Sequence, residues 1–347
     1  MTSFYSALVL PVMSSLTRMG DHGGGKGIVE GGVVVARFLY SRNKKTEWSN
    51  TWPEQSDDLW VDMGPEDQGH VKEIVNHLYQ AHPKVIEHLL HGEDRRPSLL
   101  VEDDAISFML ALIPLHPEDP LHHLSFIIGQ HFLVTAHLAD QSPVVDHAFG
   151  YIRENQMMDE GVDFALYQVL SGHVVALRRV ANTLDGEFEE LHRLLLKHPY
   201  RNLAPKILQL RKQTMRAKHM LDPEGSIFEL LKSSHFPYVR KKNRPYMQDV
   251  AYLLDEVVSE VEQIRDGLAE MVEAYTSLQS NEINKVMRFL TIISVLALPA
   301  TTIASIYGMN FKIPELKWSF GYWYSLALML VVTLVLLYFM KKKSGRG

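Results

Sequence analysis

Polar and apolar positions are most sharply sorted near the C-terminal end of the chain. No charged residue occurs between Arg288 and Lys312, and a second uncharged run, Trp318 to Met340, follows a short connection and is closed by Lys341, Lys342 and Lys343. At about 1.5 Å per residue, such runs cross a hydrocarbon core of about 30 Å. The pattern predicts two membrane-spanning helices joined by a tight loop. Upstream, Leu253, Val257, Val261, Ile264, Leu268, Met271 and Tyr275 recur at steps of three or four, while Asp255, Glu256, Glu260, Glu262, Glu270 and Glu273 lie largely off that face. This spacing predicts one helix from about Pro245 through Ala251 to Ile306, running unbroken into the membrane over about 90 Å. No monomer buries both sides of such a rod, so the pattern points to an oligomer.

The preceding segments read differently. Short apolar runs at Val33–Tyr40, Leu59–Met63, Ser98–Val101, Ile106–Ile113, Leu124–Gly129 and His131–Ala136 predict strands, with helices near Pro65–His77 and Lys84–His91. From about Val144 the pattern turns helical, in Val169–Leu177, Phe188–Leu196 and Ile207–Arg216, punctuated by Pro199, Pro205, Pro223 and Pro237. The fold class expected is an α+β membrane protein, with an N-terminal cytosolic α/β domain, a long helical stalk and a C-terminal two-helix transmembrane hairpin. Its segments are an extension at 1–30, the α/β domain at 31–143, a helical region at 144–244, the stalk and first span at 245–307, an outer loop at 308–321, the second span at 322–340 and a basic tail at 341–347.

Composition narrows the chemistry. The 347 residues include no cysteine, which excludes disulfides and thiolate metal sites and accords with a reducing cytoplasm. A net charge of −6 is too small to call for a partner and does not suggest nucleic acid. Met1–Leu16 lacks a basic n-region and is too short to span, so it reads as a poorly ordered extension. Asp21–Gly27 lacks the Gly-Lys-Ser/Thr ending of a phosphate loop and reads as a flexible linker. His22–Gly25 has no Gly-x-Ser-x-Gly elbow to serve as an esterase oxyanion loop. Lys285, Arg288, Lys341, Lys342, Lys343 and Arg346 flank the outer ends of the hairpin, so the positive-inside bias places both termini in the cytoplasm.

Within the first span, Asn284, Met287, Thr291, Ser294, Leu298, Thr301 and Ser305 share one helical face. A hydroxyl-bearing stripe of this kind fits two readings. Small and hydroxyl residues let membrane helices approach closely, and the same residues suit a wetted pore wall. Pro299, mid-span, removes a backbone donor and can bend the helix.

Tyr307-Gly308-Met309-Asn310-Phe311, then Pro314-Glu315-Leu316, Trp318 and a second span ending in lysines, closely resembles the CorA family of divalent-cation channels. The likeness is dense in residues from about Arg244 to Lys343; upstream it rests on the order of elements. The outer loop is shorter than the usual family version and carries Lys312 near the mouth. The resemblance implies a homopentameric funnel in the bacterial inner membrane, in contact with lipid, that conducts Mg²⁺ and also Co²⁺ or Ni²⁺, with no cofactor and no enzymatic activity. In it Asn310, backed by Gly308 and Met309, forms an outer ring around a hydrated cation. Asn284 takes the polar ring at the cytoplasmic end, Met287, Leu290 and Leu298 the apolar constrictions, Thr301 a hydroxyl ring, and Ser294 and Ser305 the wall between. Asp249 matches a position where a carboxylate holds regulatory Mg²⁺ between subunits. Its expected partners are Glu118 and Asp119, with Glu102, Asp103 and Asp104 behind them; oxygen ligands suit Mg²⁺.

Seventeen histidines open a rival reading, a proton-coupled zinc transporter of the same superfamily, ZntB-like. His122 with His123, His88 with His91 and His77 with His82 have the chemistry to ligate zinc, yet none lies in the hairpin, and Met309 tilts the choice to magnesium. A membrane-anchored enzyme would need a nucleophile, base or metal constellation, and none has usable spacing. A plain membrane tether needs neither Gly-Met-Asn nor a hydroxyl stripe.

Overall fold

The structure, a computed structural model, describes residues 27–29, 32–34, 36–90, 96–114, 119–137, 142–198, 201–310, 314 and 318–344. The extension at 1–16 and most of the linker at 21–27 lie outside them, as do Glu118, His91 and residues 311–313 and 315–317 of the outer loop. Two compact units emerge, one built from the chain up to Glu190 together with Lys206–Leu268, the other from Leu191–Pro205 together with Ala269–Gly347.

The first unit is organised on a seven-stranded sheet. Its strands are β3 (Arg37–Arg42), β4 (Lys45–Ser49), β5 (Asp58–Met63), β6 (Ser98–Val101), β7 (Ile106–Leu112), β8 (His122–Ile128) and β9 (Phe132–His137), in the spatial order β4-β3-β5-β9-β8-β7-β6. All neighbours are antiparallel except β5 and β9, which run parallel with Asp62 opposite Thr135. A separate antiparallel pair, β1 (Gly27–Val29) and β2 (Gly32–Val34), precedes it.

Every residue of β5 is buried, so its sheet is covered on both faces. Leu59, Val61 and Met63 join the core formed with α1 (Val71–Leu78) and α2 (Pro83–Leu90). Alternation turns Trp60 the other way, where its ring lies 5.3 Å from Phe149 of α3 (Pro143–Glu154). The expected strand Val33–Tyr40 divides into β2 and β3. Strand β4 was not expected at all: Lys45, Glu47 and Trp48 stand exposed, and the hairpin before it turns on Asn43 and Lys44, both at positive φ (51° and 62°).

Three long helices follow, α4 (Val162–Lys197), α5 (Ala204–Lys232) and α6 (Arg244–Tyr307). Gly161, at φ 112°, makes the turn into α4; a Cβ there would stand 2.4 Å from Asp163 Oδ1 and 2.6 Å from Arg240 Cζ. Pro205 lies in the first turn of α5, where its missing donor costs nothing. Pro223 corrects an expectation: it lies inside α5 rather than breaking the chain there, and only the His219 carbonyl loses its intrahelical partner. On α6, Val250, Leu254, Val257, Val261, Ile264 and Leu268 are buried. The stripe therefore runs through Leu254 rather than Leu253, which is only half-buried. The fold class is the expected one. Both α6 and α7 (Gly321–Ser344) contain stretches long and apolar enough to cross a membrane.

Candidate functional site

The stripe residues of α6 are all exposed along the chain's own surface. Asn284, Met287, Leu290, Ser294, Leu298, Thr301 and Ser305 are exposed, whereas Ile292, Val295, Pro299 and Ile303 are partly covered on another side. That side borders an apolar groove shared with Leu328, Val332 and Leu336 of α7. Helical periodicity thus separates a face that meets α7 from one that the single chain leaves open. Leu298 lies on the border, 63% exposed and also on the rim of the groove.

Three hydroxyls of the stripe are satisfied locally. Thr291 Oγ1 donates to the Met287 carbonyl at 2.7 Å, Ser294 Oγ to Leu290 at 2.9 Å, and Thr301 Oγ1 to Ala297 at 3.0 Å and Leu298 at 2.9 Å. Bonds of this kind hold each side chain in one rotamer along the helix.

The helix ends at the Gly-Met-Asn tripeptide. The Gly308 amide donates to Ala304 at 2.9 Å and the Met309 amide to Ile306 at 3.2 Å, so the last turn closes at that point. A Cβ on Gly308 would approach the Ala304 carbonyl oxygen to 3.3 Å, closer than most side chains allow. Met309 and Asn310 are exposed beyond this turn. On the far side of the loop, Trp318 packs edge-to-face on Tyr324 at 5.8 Å.

Asp249 stands exposed in the second turn of α6, next to a ring cluster in which Tyr246 lies 5.0 Å from Tyr167 and 5.7 Å from Phe164. Burial, and then the Asp249 charge, push the Tyr167 hydroxyl above its ordinary range, so it stays a neutral donor. Asp119 is exposed as well. Among the described residues, no three His, Asp or Glu side chains converge on a metal-sized site, Asp249 and Asp119 included. His77 instead packs its ring on Trp52 at 5.0 Å, and His82 accepts from the Lys84 amide at 3.2 Å.

Three buried polar networks had no counterpart in the sequence pattern. Asp62 accepts from Thr135 Oγ1 at 2.6 Å and from Arg37, which also reaches Asp146 at 2.7 Å. Burial pushes Asp62 up, but the hydrogen bond from His137 and the Arg37 charge outweigh it and hold the carboxyl below its ordinary range. Arg240 grips Asp58 through Nη2 at 2.8 and 2.6 Å, while its amide donates to Asp163 at 2.9 Å. Glu224, fully buried beside Pro223, accepts from the Ala111 amide at 2.7 Å and faces His173 Nε2 at 2.8 Å. These contacts tie the sheet to α3, α4, α5 and the segment that leads into α6.

Residues 56–342 match the sequence profile of a family described as CorA-like Mg²⁺ transporter protein. The cobalt/magnesium transport protein CorA of Thermotoga maritima is 27% identical over 314 residues, covering 86% of this chain and 87% of its own. The complete CorA magnesium transporter of Methanocaldococcus jannaschii superposes with a TM-score of 0.74 at 23% identity, over 88% of this chain and 97% of that one. The cytoplasmic domain of ZntB from Vibrio parahaemolyticus shares the fold at a TM-score of 0.58 and 12% identity, over 72% of this chain and 98% of its own.

Proposed function

The chain belongs to the CorA-like Mg²⁺ transporter family and is an integral membrane protein, and from this premise we propose that it is a divalent-cation channel for passive Mg²⁺ uptake that also admits Co²⁺ and Ni²⁺. The observation that carries this reading is the open face of α6, continuous from Asn284 to Ser305 and ending at Asn310. A single chain leaves that face uncovered, and a ring of chains encloses it. The working unit is a homopentamer with both termini on the cytoplasmic side of the inner membrane.

Mg²⁺ sheds its inner waters reluctantly, so capture is easiest through groups that hydrogen-bond the hydration shell instead of replacing it. Asn310 supplies such groups in a ring, with Gly308 and Met309 shaping its backbone. Met287, Leu290 and Leu298 form the constrictions, and Asn284, Ser294, Thr301 and Ser305 the polar wall between them. A divalent ion entering an inside-negative cell gains about 4.6 kcal/mol per 100 mV, so no nucleotide is needed. At high cytosolic Mg²⁺, an ion held between Asp249 and a carboxylate of the next subunit, Asp119 or Glu118, favours the closed state; its loss loosens the subunits, and the rings at Met287, Leu290 and Leu298 widen.

Flux into liposomes tests the proposal. Mg²⁺ entry should follow an imposed inside-negative potential without ATP and without a pH gradient. Zn²⁺ entry that exceeds Mg²⁺ entry and collapses with the pH gradient would replace this reading with a zinc transporter.

A further inference from the structure

Between Glu190 and Asp222 the chain carries no Asp or Glu, although its net charge is −6. The run includes the end of α4, the turn and the start of α5. Within the second unit, Leu191, Leu195 and Leu203 are buried and anchor the hairpin, while Arg193, Lys197 and Arg201 are exposed. None of the three pairs with a carboxylate among the described residues. Leu196, between them, is 71% exposed.

The level of this tip relative to the bilayer follows from contacts along the same helices. Arg178 pairs with Glu256 at 2.6 Å, and a Cβ on Gly267 would meet Phe188 at 2.7 Å, so α4 runs parallel to α6 with an offset of 78 residues at one contact and 79 at the other. Carried forward, that offset sets Lys197 level with residues 275 and 276 of α6. Arg201, whose amide donates to the His198 carbonyl at 3.0 Å, lies next to this level. At about 1.5 Å per residue it is within about 18 Å of Arg288, where the uncharged span begins. The headgroup layer takes up about 5–8 Å of that distance. The gap left, about 10–13 Å, is somewhat more than one Debye length of about 8 Å at physiological ionic strength, and the side chains of Arg201 and Lys197 shorten it.

We propose that the α4–α5 hairpin tip docks on the anionic headgroups of the cytoplasmic leaflet through Lys197 and Arg201, with Arg193 adding to the field. This rests on the cytoplasmic placement proposed above. A basic surface held near anionic lipid gains affinity with each charge, by about fivefold per Lys or Arg. Because the hairpin packs along the stalk of α6, its grip would couple the stalk to the lipid composition of the leaflet.

The chain has no cysteine, so Asn202→Cys, on the exposed turn, gives a unique attachment point for a fluorophore. The full-length protein is placed in nanodiscs of phosphatidylcholine alone or with phosphatidylglycerol, each doped with a headgroup-spin-labelled lipid that quenches at short range. Quenching should be several-fold stronger with phosphatidylglycerol, should fall to the phosphatidylcholine level at 0.5 M salt, and should fall likewise in Lys197→Gln/Arg201→Gln. Salt needs no second variant, so a misfolded mutant does not decide the outcome. Equal quenching in both lipids overturns the proposal. So does a salt response that is as large in phosphatidylcholine or detergent, which would mean that the tip pairs with acidic residues of the protein. The readout does not involve ion flux, so a failure here is separable from a failure of the channel reading.

Discussion

Glu224→Ala tests whether the buried His173–Glu224 contact holds the sheet to the helices. Glu224 and His173 are each 0% exposed, and each carboxylate oxygen has one partner, the Ala111 amide at 2.7 Å and His173 Nε2 at 2.8 Å. Because Nε2 faces an acceptor, it carries the ring proton, and Nδ1 is left with no partner. Alanine strands two buried donors, each costing about 1–3 kcal/mol, for a total of about 4 kcal/mol. For a unit of this size that lowers the apparent melting midpoint by about 8–16 °C. Glu224→Gln should cost about half as much. Its oxygen keeps the Ala111 amide, but its NH₂ forces the imidazole into the other tautomer, with a buried Nδ1–H and no acceptor. Differential scanning fluorimetry of the full-length protein in detergent measures all three. A Glu224→Ala midpoint within about 2 °C of the parent, or a Gln variant as unstable as the Ala variant, would refute the reasoning.

Three further outcomes are expected. Asn310→Ala should abolish Mg²⁺ flux in liposomes while leaving the oligomer intact on size-exclusion chromatography; normal flux from a correctly assembled variant removes Asn310 from the outer ring. Asp249→Ala should keep conducting at internal Mg²⁺ concentrations that shut the parent channel, with selectivity unchanged, and equal inhibition in both would discard Asp249 as a regulatory ligand. Asp62 has a folded pKa below its unfolded one, so its stabilisation is present above the ordinary carboxylate range, near pH 4, and is lost as pH falls through the folded value. A plot of melting midpoint against pH should therefore fall less steeply on the acid side for Asp62→Asn than for the parent.

What could be read in the sequence was whatever a local pattern fixes. The uncharged runs, the period of the stalk and the strands around Trp60 and Phe126 each carry their signal within one contiguous stretch of chain. Strand β4 carried none, because Lys45, Glu47 and Trp48 face water and its register depends on a turn of two positive-φ residues that are not glycine. Pro223 reads as a breaker in isolation, yet the helix continues through it, held by the buried Leu221, Glu224, Ile227 and Phe228. The carboxylates were the least legible. Asp58 and its partner Arg240 are 182 residues apart, and Glu224 lies 113 residues from Ala111, so nothing near either acid marks it as buried. The stripe and the Gly-Met-Asn turn were legible as positions. Which of them meet an ion is a property of several chains together, and a single chain shows only that the face is open.

That open face has a polarity of its own. Thr291, Ser294 and Thr301 each turn their proton inward onto a carbonyl of the preceding turn, so outward they present only oxygen lone pairs. Waters around a cation point their hydrogens away from the ion, and such hydrogens meet these lone pairs directly. Waters around an anion point their own lone pairs outward and find no donor at these three hydroxyls. On the channel reading, the wall thus distinguishes the sign of a hydrated ion without placing any fixed charge in the membrane.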